Sequence, residues 1–318
     1  MPSLLKVLIL AIVQGLAELL PVSSSAHVVV AEKLLGLDPS SPQMTLILVM
    51  LHTGTMFAVI VYFWSQWRLA YFTTAHALKR FLIRAFWATL LTGLVGYPLI
   101  KIIEETAFKG KPKGEIELLF SRLDLIAPAL FAAGLIILIS SLRERSAQAR
   151  AAAESNRPSY ERSIVLTGDN VTFAQAGWMG AIQGLCLPFR GFSRSGATIS
   201  TGLLAGTTRQ RAERFSFALA VIITPAAIAR EAERLLKAKQ VVELAGGSLN
   251  LHASAVAALL GMVFSFFAGL AALRWLSSWL EHGRWYLFGL YCIAASIAVF
   301  YLYLHPGLLP PPPPRIGY

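Results

Sequence analysis

Residues 11–27 read AIVQGLAELLPVSSSAH, and residues 181–200 read AIQGLCLPFRGFSRSGATIS. Both stretches begin with Ala-Ile, soon reach Gln-Gly-Leu, and then pass a proline into a serine cluster followed by small residues. Each is an apolar arm, a polar break and a second apolar arm, and the two lie about half a chain apart. A repeat of this kind indicates two related halves, each beginning with the same broken element.

The composition is that of a membrane protein. The 318 residues are 56% hydrophobic and 14% charged, whereas soluble domains carry about 25% charged residues. A helix needs about 20 apolar residues to cross a bilayer, and several apolar runs in this sequence are near that length. One further run, at 215–229, is shorter and contains Pro225. We therefore predict an all-α integral membrane protein with six spanning helices. Their predicted positions are 44–64, 81–100, 123–142, 212–229, 253–273 and 285–304.

The arms that flank each polar break are too short to cross comfortably. They cover 4–20 and 28–37 in the first copy, and 173–187 and 199–205 in the second. We predict two re-entrant helical hairpins, because irregular backbone at membrane depth requires cover by protein or a watery cavity. A single kinked span is the alternative. Three spans follow each hairpin, so the second half must insert upside down, which makes an inverted repeat with both breaks meeting near the midplane.

The predicted organisation is a single membrane domain. Its parts are a first half at 1–142, a basic loop at 143–172, a second half at 173–304 and a Pro-rich tail at 305–318. The N-terminus has no small-residue cleavage site, so we expect it to be retained. Cys186 and Cys292 form no disulfide framework and no metal-ligand spacing.

The net charge of +11 does not indicate a nucleic-acid partner, because Lys and Arg lie between the apolar runs, as in membrane-protein loops. A slight excess of these residues favours a cytoplasmic location for one set of loops and an outward location for both termini. The loops of that set are 65–80, 143–172, 206–214 and 274–284.

Ionisable residues within apolar segments are functional candidates, because their burial in a membrane is costly. The first hairpin carries Glu18 and His27, and the second carries Arg190 and Arg194. Arginine suits phosphate through its planar fork, and the Ser-Arg-Ser-Gly turn offers N–H groups at a helix N-terminus. The sequence therefore predicts a phosphate site. Neighbouring hydroxyls are those of Ser23, Ser24, Ser25, Ser193, Ser195 and Thr198.

Two further roles follow from spacing. Gln14 and Glu18 are four residues apart, so on a helix they share a face and together provide oxygen ligands for Mg²⁺ or Ca²⁺. His27 follows Ser23 and Ser24 closely enough to act as base or acid towards a hydroxyl or a water.

Structural roles are the alternatives. Membrane-embedded hydroxyls often bond only to the backbone, and a lone histidine in a span often only packs. A buried structural ion pair of Glu18 with Arg194 explains the adjoining hydroxyl clusters poorly. For Ser25, Ser195 and Ser200 this structural role is an open alternative. We expect a packing or interfacial role for His52, Glu32 and Lys33.

The segments QGLAELLPVSSSAH (14–27) and GFSRSGATIS (191–200) resemble the two signature regions of the bacterial undecaprenyl-pyrophosphate phosphatases, also called bacitracin-resistance proteins. The likeness continues through HTGTMFAVIVYFW (52–64) and RFSFALAVIITPA (214–226). Two departures mark a divergent member. Gln14 stands where many members have Glu, and the second motif is one residue longer and adds Arg190.

The resemblance implies an inverted-repeat fold and hydrolysis of undecaprenyl pyrophosphate, which recycles the carrier lipid for cell-wall synthesis. It implies a divalent cation, a polyprenyl pyrophosphate lipid as substrate among membrane lipids, and a cleft opening to the outer face of the bacterial cytoplasmic membrane. A homodimer is left open. By motif position the implied catalytic residues are Glu18, Ser24, His27 and Arg194, the phosphate-binding residues Ser23, Ser193, Ser195, Thr198 and Arg190, and the metal ligands Glu18 and Gln14.

Three other functions fit less well. A lipid transporter or flippase also uses inverted repeats with broken helices, and phosphate release distinguishes it from a phosphatase. A lipid-phosphate phosphatase with a histidine nucleophile would need a Lys-x6-Arg-Pro segment, which is missing from this sequence. A purely structural membrane protein leaves the polar hairpins unexplained.

Overall fold

A computed structural model of the chain describes residues 2–38, 42–107, 122–153, 171–244, 251–281 and 284–310. Across these ranges all regular structure is helical, which confirms the predicted all-α class. The helices are α1 (Leu4–Leu19), α2 (Ser24–Leu34), α3 (Pro42–Tyr71), α4 (Ala75–Ala107), α5 (Leu123–Ala153), α6 (Phe173–Cys186), α7 (Arg194–Leu204), α8 (Arg209–Leu244), α9 (Leu251–Glu281) and α10 (Trp285–Leu304), followed by a 3₁₀ turn at Pro306–Leu308.

Five helices in the described part of the chain are long and apolar enough to cross a membrane, so this is a multi-pass membrane protein. They are the apolar parts of α3, α4, α5, α9 and α10, and each of these five helices contains one of the predicted spans. The sixth predicted span, 212–229, lies within α8 but is not among the five. Its apolar stretch between Arg214 and Arg230 has only fifteen residues, fewer than the roughly 20 that a crossing helix needs.

The four remaining helices form the two predicted broken elements. Helices α2 and α7 have 11 residues each, which gives a length of roughly 16 Å at about 1.5 Å per residue. This is about half of a hydrocarbon core of roughly 30 Å. Helix α1 packs on α2, and α6 packs on α7. Two short packed helices fit a re-entrant hairpin, whose position in the bilayer stays a prediction.

The polar breaks are shorter than predicted, because the serine clusters belong to the second arms. Helix α2 begins at Ser24 and α7 at Arg194, several residues before the predicted starts at 28 and 199. In α7 the cause is local: the Ser193 hydroxyl accepts a hydrogen bond from the N–H of Gly196. Serine is a favoured N-cap because it satisfies an N–H that has no acceptor within the helix. The helix therefore starts at the polar cluster.

Helices of each half pack against helices of the other half, in a matching pattern. Helix α1 packs on α9 of the second half, and α6 packs on α4 of the first. The pairs α3 with α8 and α5 with α10 also join the halves. These contacts are expected for two halves of related structure. The opposite orientation of the halves across the membrane stays a prediction.

The repeated Gln-Gly-Leu has a packing reason in both copies. A Cβ atom at Gly15 would lie 2.9 Å from the carbonyl oxygen of Ser265 on α9. A Cβ atom at Gly184 would lie 2.7 Å from the carbonyl oxygen of Thr92 on α4. Only glycine lets the first arm of each hairpin approach its partner helix this closely.

The prediction of a loop at 143–172 is partly wrong. Helix α5 continues without a break to Ala153, so the first part of this segment is helical. Residues 154–170 lie outside the described part, as do residues 311–318 of the predicted Pro-rich tail. The division into halves at these boundaries stays a prediction.

Candidate active site

The tips of the two hairpins meet, as the repeat predicted. Glu18 lies in the last turn of α1, and Arg194 is the first residue of α7. Arg194 Nη2 donates to Glu18 Oε1 at 2.9 Å. Ser195 Oγ donates to the carbonyl oxygen of Leu20 at 3.4 Å, which adds a second contact between the tips. The structure therefore brings the two motifs into one site.

The Glu18 carboxylate is the centre of this site. Its Oε2 atom accepts hydrogen bonds from Gln14 Nε2 at 3.0 Å and from the Ser24 hydroxyl. The Nε2 atom of His52 on α3 lies 3.7 Å from the same oxygen. Three predicted site residues thus contact Glu18 directly: Gln14, Ser24 and Arg194. Because the carboxylate is only 15% exposed, these partners offset the cost of burying its charge.

His52 belongs to the site, and the expectation that it only packs was wrong. Its Nδ1 atom lies 2.8 Å from the carbonyl oxygen of Leu48. A carbonyl oxygen can only accept, so Nδ1 carries the proton and Nε2 faces Glu18. The sequence did contain the signal, since an ionisable residue in an apolar run is a functional candidate. His52 lacked only a second charged residue near it in the sequence, the nearest being Asp38 and Arg68.

His27 is held by contacts other than those predicted. Its Nδ1 atom lies 2.8 Å from the carbonyl oxygen of Ser23, and its Nε2 atom lies 2.7 Å from the hydroxyl of Tyr291 on α10. The two rings are stacked, with centroids 5.6 Å apart. Both ring nitrogens are thus engaged away from Ser24. Sequence reasoning missed Tyr291, because an aromatic residue in an apolar span is the ordinary pattern.

The first break contains a strained residue. Ser23 has φ 68° and is the one non-glycine residue with positive φ in the described part of the chain. This region costs a non-glycine residue about 1–2 kcal/mol, and such strain concentrates at functional sites. Ser23 is also the residue whose carbonyl oxygen holds the His27 ring. The strained turn therefore fixes the position of a candidate catalytic histidine.

The predicted phosphate-binding hydroxyls bond within the protein. The Ser193 hydroxyl caps α7. Thr198 is fully buried, donates to the carbonyl oxygen of Arg194 at 2.8 Å, and lies 2.5 Å from the hydroxyl of Ser216. The hydroxyls of Ser23 and Ser25 lie 3.4 Å from each other. These contacts support the hairpin tips, and direct phosphate binding by the hydroxyls stays a prediction.

Glu32 is buried, contrary to the expected interfacial turn. It is 0% exposed, and the charges of Arg190, Lys33 and Asp38 act on its carboxylate. Arg190 comes from the second hairpin, so this carboxylate is a further electrostatic link between the two halves. A phosphate-binding role for Arg190 stays a prediction.

A small cavity adjoins Glu18. Its volume is about 20 Å³, enough for a water molecule, which needs about 10–15 Å³. Apolar residues of α3 and α8 form much of its wall. The polar residues that line it are Glu18, His52, Thr55, Arg194 and Thr224. A small polar group can therefore reach the carboxylate and the guanidinium from one space.

The donor set at Glu18 fits a divalent cation. In the described residues no three His, Cys, Asp or Glu side chains come together, so a cation here would need neutral oxygen ligands as well. Gln14 offers one, because its Oε1 atom is buried without a hydrogen-bond partner. The Glu18 carboxylate, the Gln14 amide oxygen and the Ser24 hydroxyl are the kinds of ligand that Mg²⁺ and Ca²⁺ accept.

The fold and the site define a multi-pass membrane protein in which two short hairpins hold an acidic residue and an arginine between spanning helices. The family described as bacitracin resistance protein BacA matches residues 7–298, and the chain belongs to this family. The resemblance noted in the two motifs is thereby confirmed.

Three relatives illustrate the range of similarity. Undecaprenyl-diphosphatase 2 of Acinetobacter baylyi is 54% identical over 304 residues, which are 94% of this chain and 98% of the relative. Undecaprenyl-diphosphatase 1 of Burkholderia pseudomallei is 33% identical, over 93% of this chain and 95% of the relative. Undecaprenyl-diphosphatase 2 of Burkholderia orbicola is 32% identical, over 96% and 99% respectively. In each case the similarity extends over nearly the whole length of both chains.

Proposed function

We propose that this protein hydrolyses undecaprenyl diphosphate to undecaprenyl phosphate and inorganic phosphate. Membership of the BacA family and the names of the relatives support this activity. The observation that carries it is the contact of Arg194 with Glu18 at 2.9 Å, beside the Ser24 hydroxyl. Phosphoryl transfer depends mainly on positioning and charge stabilisation, and these three side chains provide an anion-binding group, a carboxylate and a hydroxyl.

Arg194 binds the terminal phosphate. Its guanidinium has five N–H donors, and Nη2 makes the bond to Glu18. Arg194 also begins α7, where the first N–H groups have no acceptor within the helix and the helix dipole favours an anion. The phosphate oxygens therefore meet side-chain and main-chain donors at one point, and these donors stabilise the charge that develops as the bond breaks.

Glu18 accepts the proton of the attacking group. The Ser24 hydroxyl donates directly to Glu18 Oε2, so Ser24 orients the attacking water or attacks the phosphorus itself. In the second case the phosphoanhydride bond breaks, undecaprenyl phosphate leaves, and water then hydrolyses the phosphoserine to inorganic phosphate. This assigns to Glu18 the proton transfer that sequence reasoning gave to His27. His27 is instead held by Ser23 and Tyr291 and fixes the turn that presents Ser24.

Glu18 and Gln14 would hold the divalent cation. When bound, the ion neutralises negative charge on the phosphate oxygens. Gln14 is fully buried with its Oε1 unbonded, and in this role that oxygen gains a partner.

The reaction recycles the carrier lipid for cell-wall synthesis at the cytoplasmic membrane. The prenyl tail lies along the apolar outer faces of the helices while the charged head enters the space beside Glu18. The site faces the outer side of the membrane. The slight charge bias of the loops supports this orientation.

The test is phosphate release from undecaprenyl diphosphate by the purified protein in detergent, with Mg²⁺, with Ca²⁺ and with a chelator. We expect release that depends on the cation and is lost in Arg194→Ala and in Glu18→Ala. Arg143→Ala is a matched control, because Arg143 is an exposed arginine on α5. No release by well-folded wild type with any cation would contradict the proposal and point to lipid transport.

A further inference from the structure

His52 lies outside both signature motifs, yet it faces the central carboxylate. Its Nε2 atom is 3.7 Å from Glu18 Oε2, and the bond to the Leu48 carbonyl places the ring proton on Nδ1. In the neutral ring Nε2 is then an acceptor that faces a second acceptor. Two acceptors at this separation are stabilised by a positive charge between them.

Gln14 supplies a second neutral ligand at the same carboxylate. Its side chain is 0% exposed, its Nε2 atom lies 3.0 Å from Glu18 Oε2, and its Oε1 atom is buried without a partner. The two ends of an amide have nearly the same shape, and their assignment follows the hydrogen-bond network. If the Gln14 side-chain amide is flipped by about 180°, its oxygen lies beside the Glu18 carboxylate. A cation between these two oxygens would then be favourable.

We propose that His52 Nε2 is a nitrogen ligand of the cation held by Glu18 and Gln14, and that it biases this site towards Mn²⁺ over Ca²⁺. The inference rests on the proposed function for the presence of a cation. Mn²⁺ accepts the same carboxylate and carbonyl oxygens as Ca²⁺, but as a first-row transition metal it also accepts an imidazole nitrogen, whereas Ca²⁺ takes oxygen ligands. His52 is 40% exposed in its side chain and lines the cavity beside Glu18, so an ion in that space can reach Nε2.

This assignment also gives position 14 a part in the site. A glutamate there would offer a carboxylate, whereas this chain has Gln14. An amide oxygen binds a cation more weakly than a carboxylate because it has no charge. An imidazole nitrogen from α3 restores a ligand without adding negative charge. The site thus combines a carboxylate and an amide oxygen with one nitrogen ligand, which changes the metal that it prefers.

The test uses Mn²⁺ alone with the full-length protein in detergent and no lipid. Electron paramagnetic resonance gives the affinity, and its pulsed form detects nitrogen bonded to the ion. We expect saturable binding with a nitrogen coupling in the wild type. His52→Gln should lose the coupling and weaken Mn²⁺ binding about tenfold or more, while Ca²⁺ competes almost as before. His76→Gln, at an exposed histidine of α4, should match the wild type, and Glu18→Gln should lose the site.

Several results would overturn the inference. If the wild type binds Mn²⁺ but its spectrum shows no nitrogen coupling, the inference is overturned. This result needs no variant, so it does not depend on whether His52→Gln folds. A coupling that persists in His52→Gln, or Mn²⁺ binding that Glu18→Gln leaves intact, also overturns it. Phosphate release is measured separately. If the wild type releases phosphate but lacks the nitrogen coupling, only the proposed role of His52 is refuted, and the proposed function stands. Absence of release would count against the proposed function.

Discussion

Glu18 Oε1 and Arg194 Nη2 lie 2.9 Å apart, although their residues are 176 positions apart in the sequence. Each residue comes from a different hairpin, and each hairpin begins a different half of the chain. The contact therefore holds the two halves together and also assembles the chemical groups of the site. Substitutions here act on both structure and activity, and the following experiments separate these effects.

Arg194→Lys keeps the positive charge but removes the planar fork. We expect phosphate release to fall by about 100-fold or more, as when a transition-state donor is removed, because an ammonium group cannot bond Glu18 and phosphate in the same geometry. Steady-state phosphate release measures the rate, and thermal unfolding in detergent checks the fold. Arg143→Lys is the matched control. A rate comparable to the wild type in Arg194→Lys would argue against a direct role for the fork.

Ser24→Ala tests the hydroxyl that donates to Glu18. If Ser24 attacks phosphorus, the rate should fall by about 1,000-fold or more, in the range seen when a nucleophile is removed. If Ser24 orients a water, a larger residual rate should remain. Ser25→Ala is the control, because the Ser25 hydroxyl contacts Ser23 and not Glu18. Equal losses in both variants would show that the effect comes from the turn as a whole.

Tyr291→Phe removes the hydroxyl that contacts His27 and leaves the stacked ring in place. We expect the rate to fall by roughly tenfold, because one neutral hydrogen bond contributes about 0.5–1.5 kcal/mol. The comparison is Tyr286→Phe on the same helix, where the ring lies beneath Arg145 and needs no hydroxyl for that contact. An unchanged rate in Tyr291→Phe would mean that Ser23 alone fixes the His27 ring.

Gly180→Ala tests the close packing of α6 on α4. A Cβ atom at Gly180 would lie 2.6 Å from the Cα atom of Ala88, and overpacking of this kind costs about 1–3 kcal/mol. We expect a lower unfolding temperature in detergent. Gly93→Ala on α4 is the control, because nothing lies within 4 Å of its added Cβ, and alanine favours a helix by up to about 1 kcal/mol. Equal unfolding temperatures for Gly180→Ala and Gly93→Ala would contradict the packing argument.

Much of the fold could be predicted from the sequence, because a bilayer imposes simple rules. Apolar runs of spanning length had to become helices, and those of α3, α4, α5, α9 and α10 did so. The helix ends were less predictable. Helix α5 continues past the apolar region to Ala153, since helix formation depends on backbone bonding and not only on apolar character.

The site was predictable where polar residues cluster in the sequence and unpredictable where they meet only in space. Glu18, Ser24 and Arg194 stand in the repeated motifs, and they do meet. His52 and Tyr291 stand in separate spans, and the packing of α3 and α10 against the hairpins brings them to Glu18 and His27. Helix packing of this kind leaves no local sequence pattern.

The packing of helices from one half against helices of the other also affects when the site can form during synthesis. Helix α1 is synthesised before α9, on which it packs, and its Glu18 pairs with a residue of α7, which is also made later. Until those later segments are inserted, the carboxylate lacks its arginine, and an unpaired charge is costly in hydrocarbon. The Glu18–Arg194 pair can therefore form only after α7 has been made, so the site is completed late in synthesis.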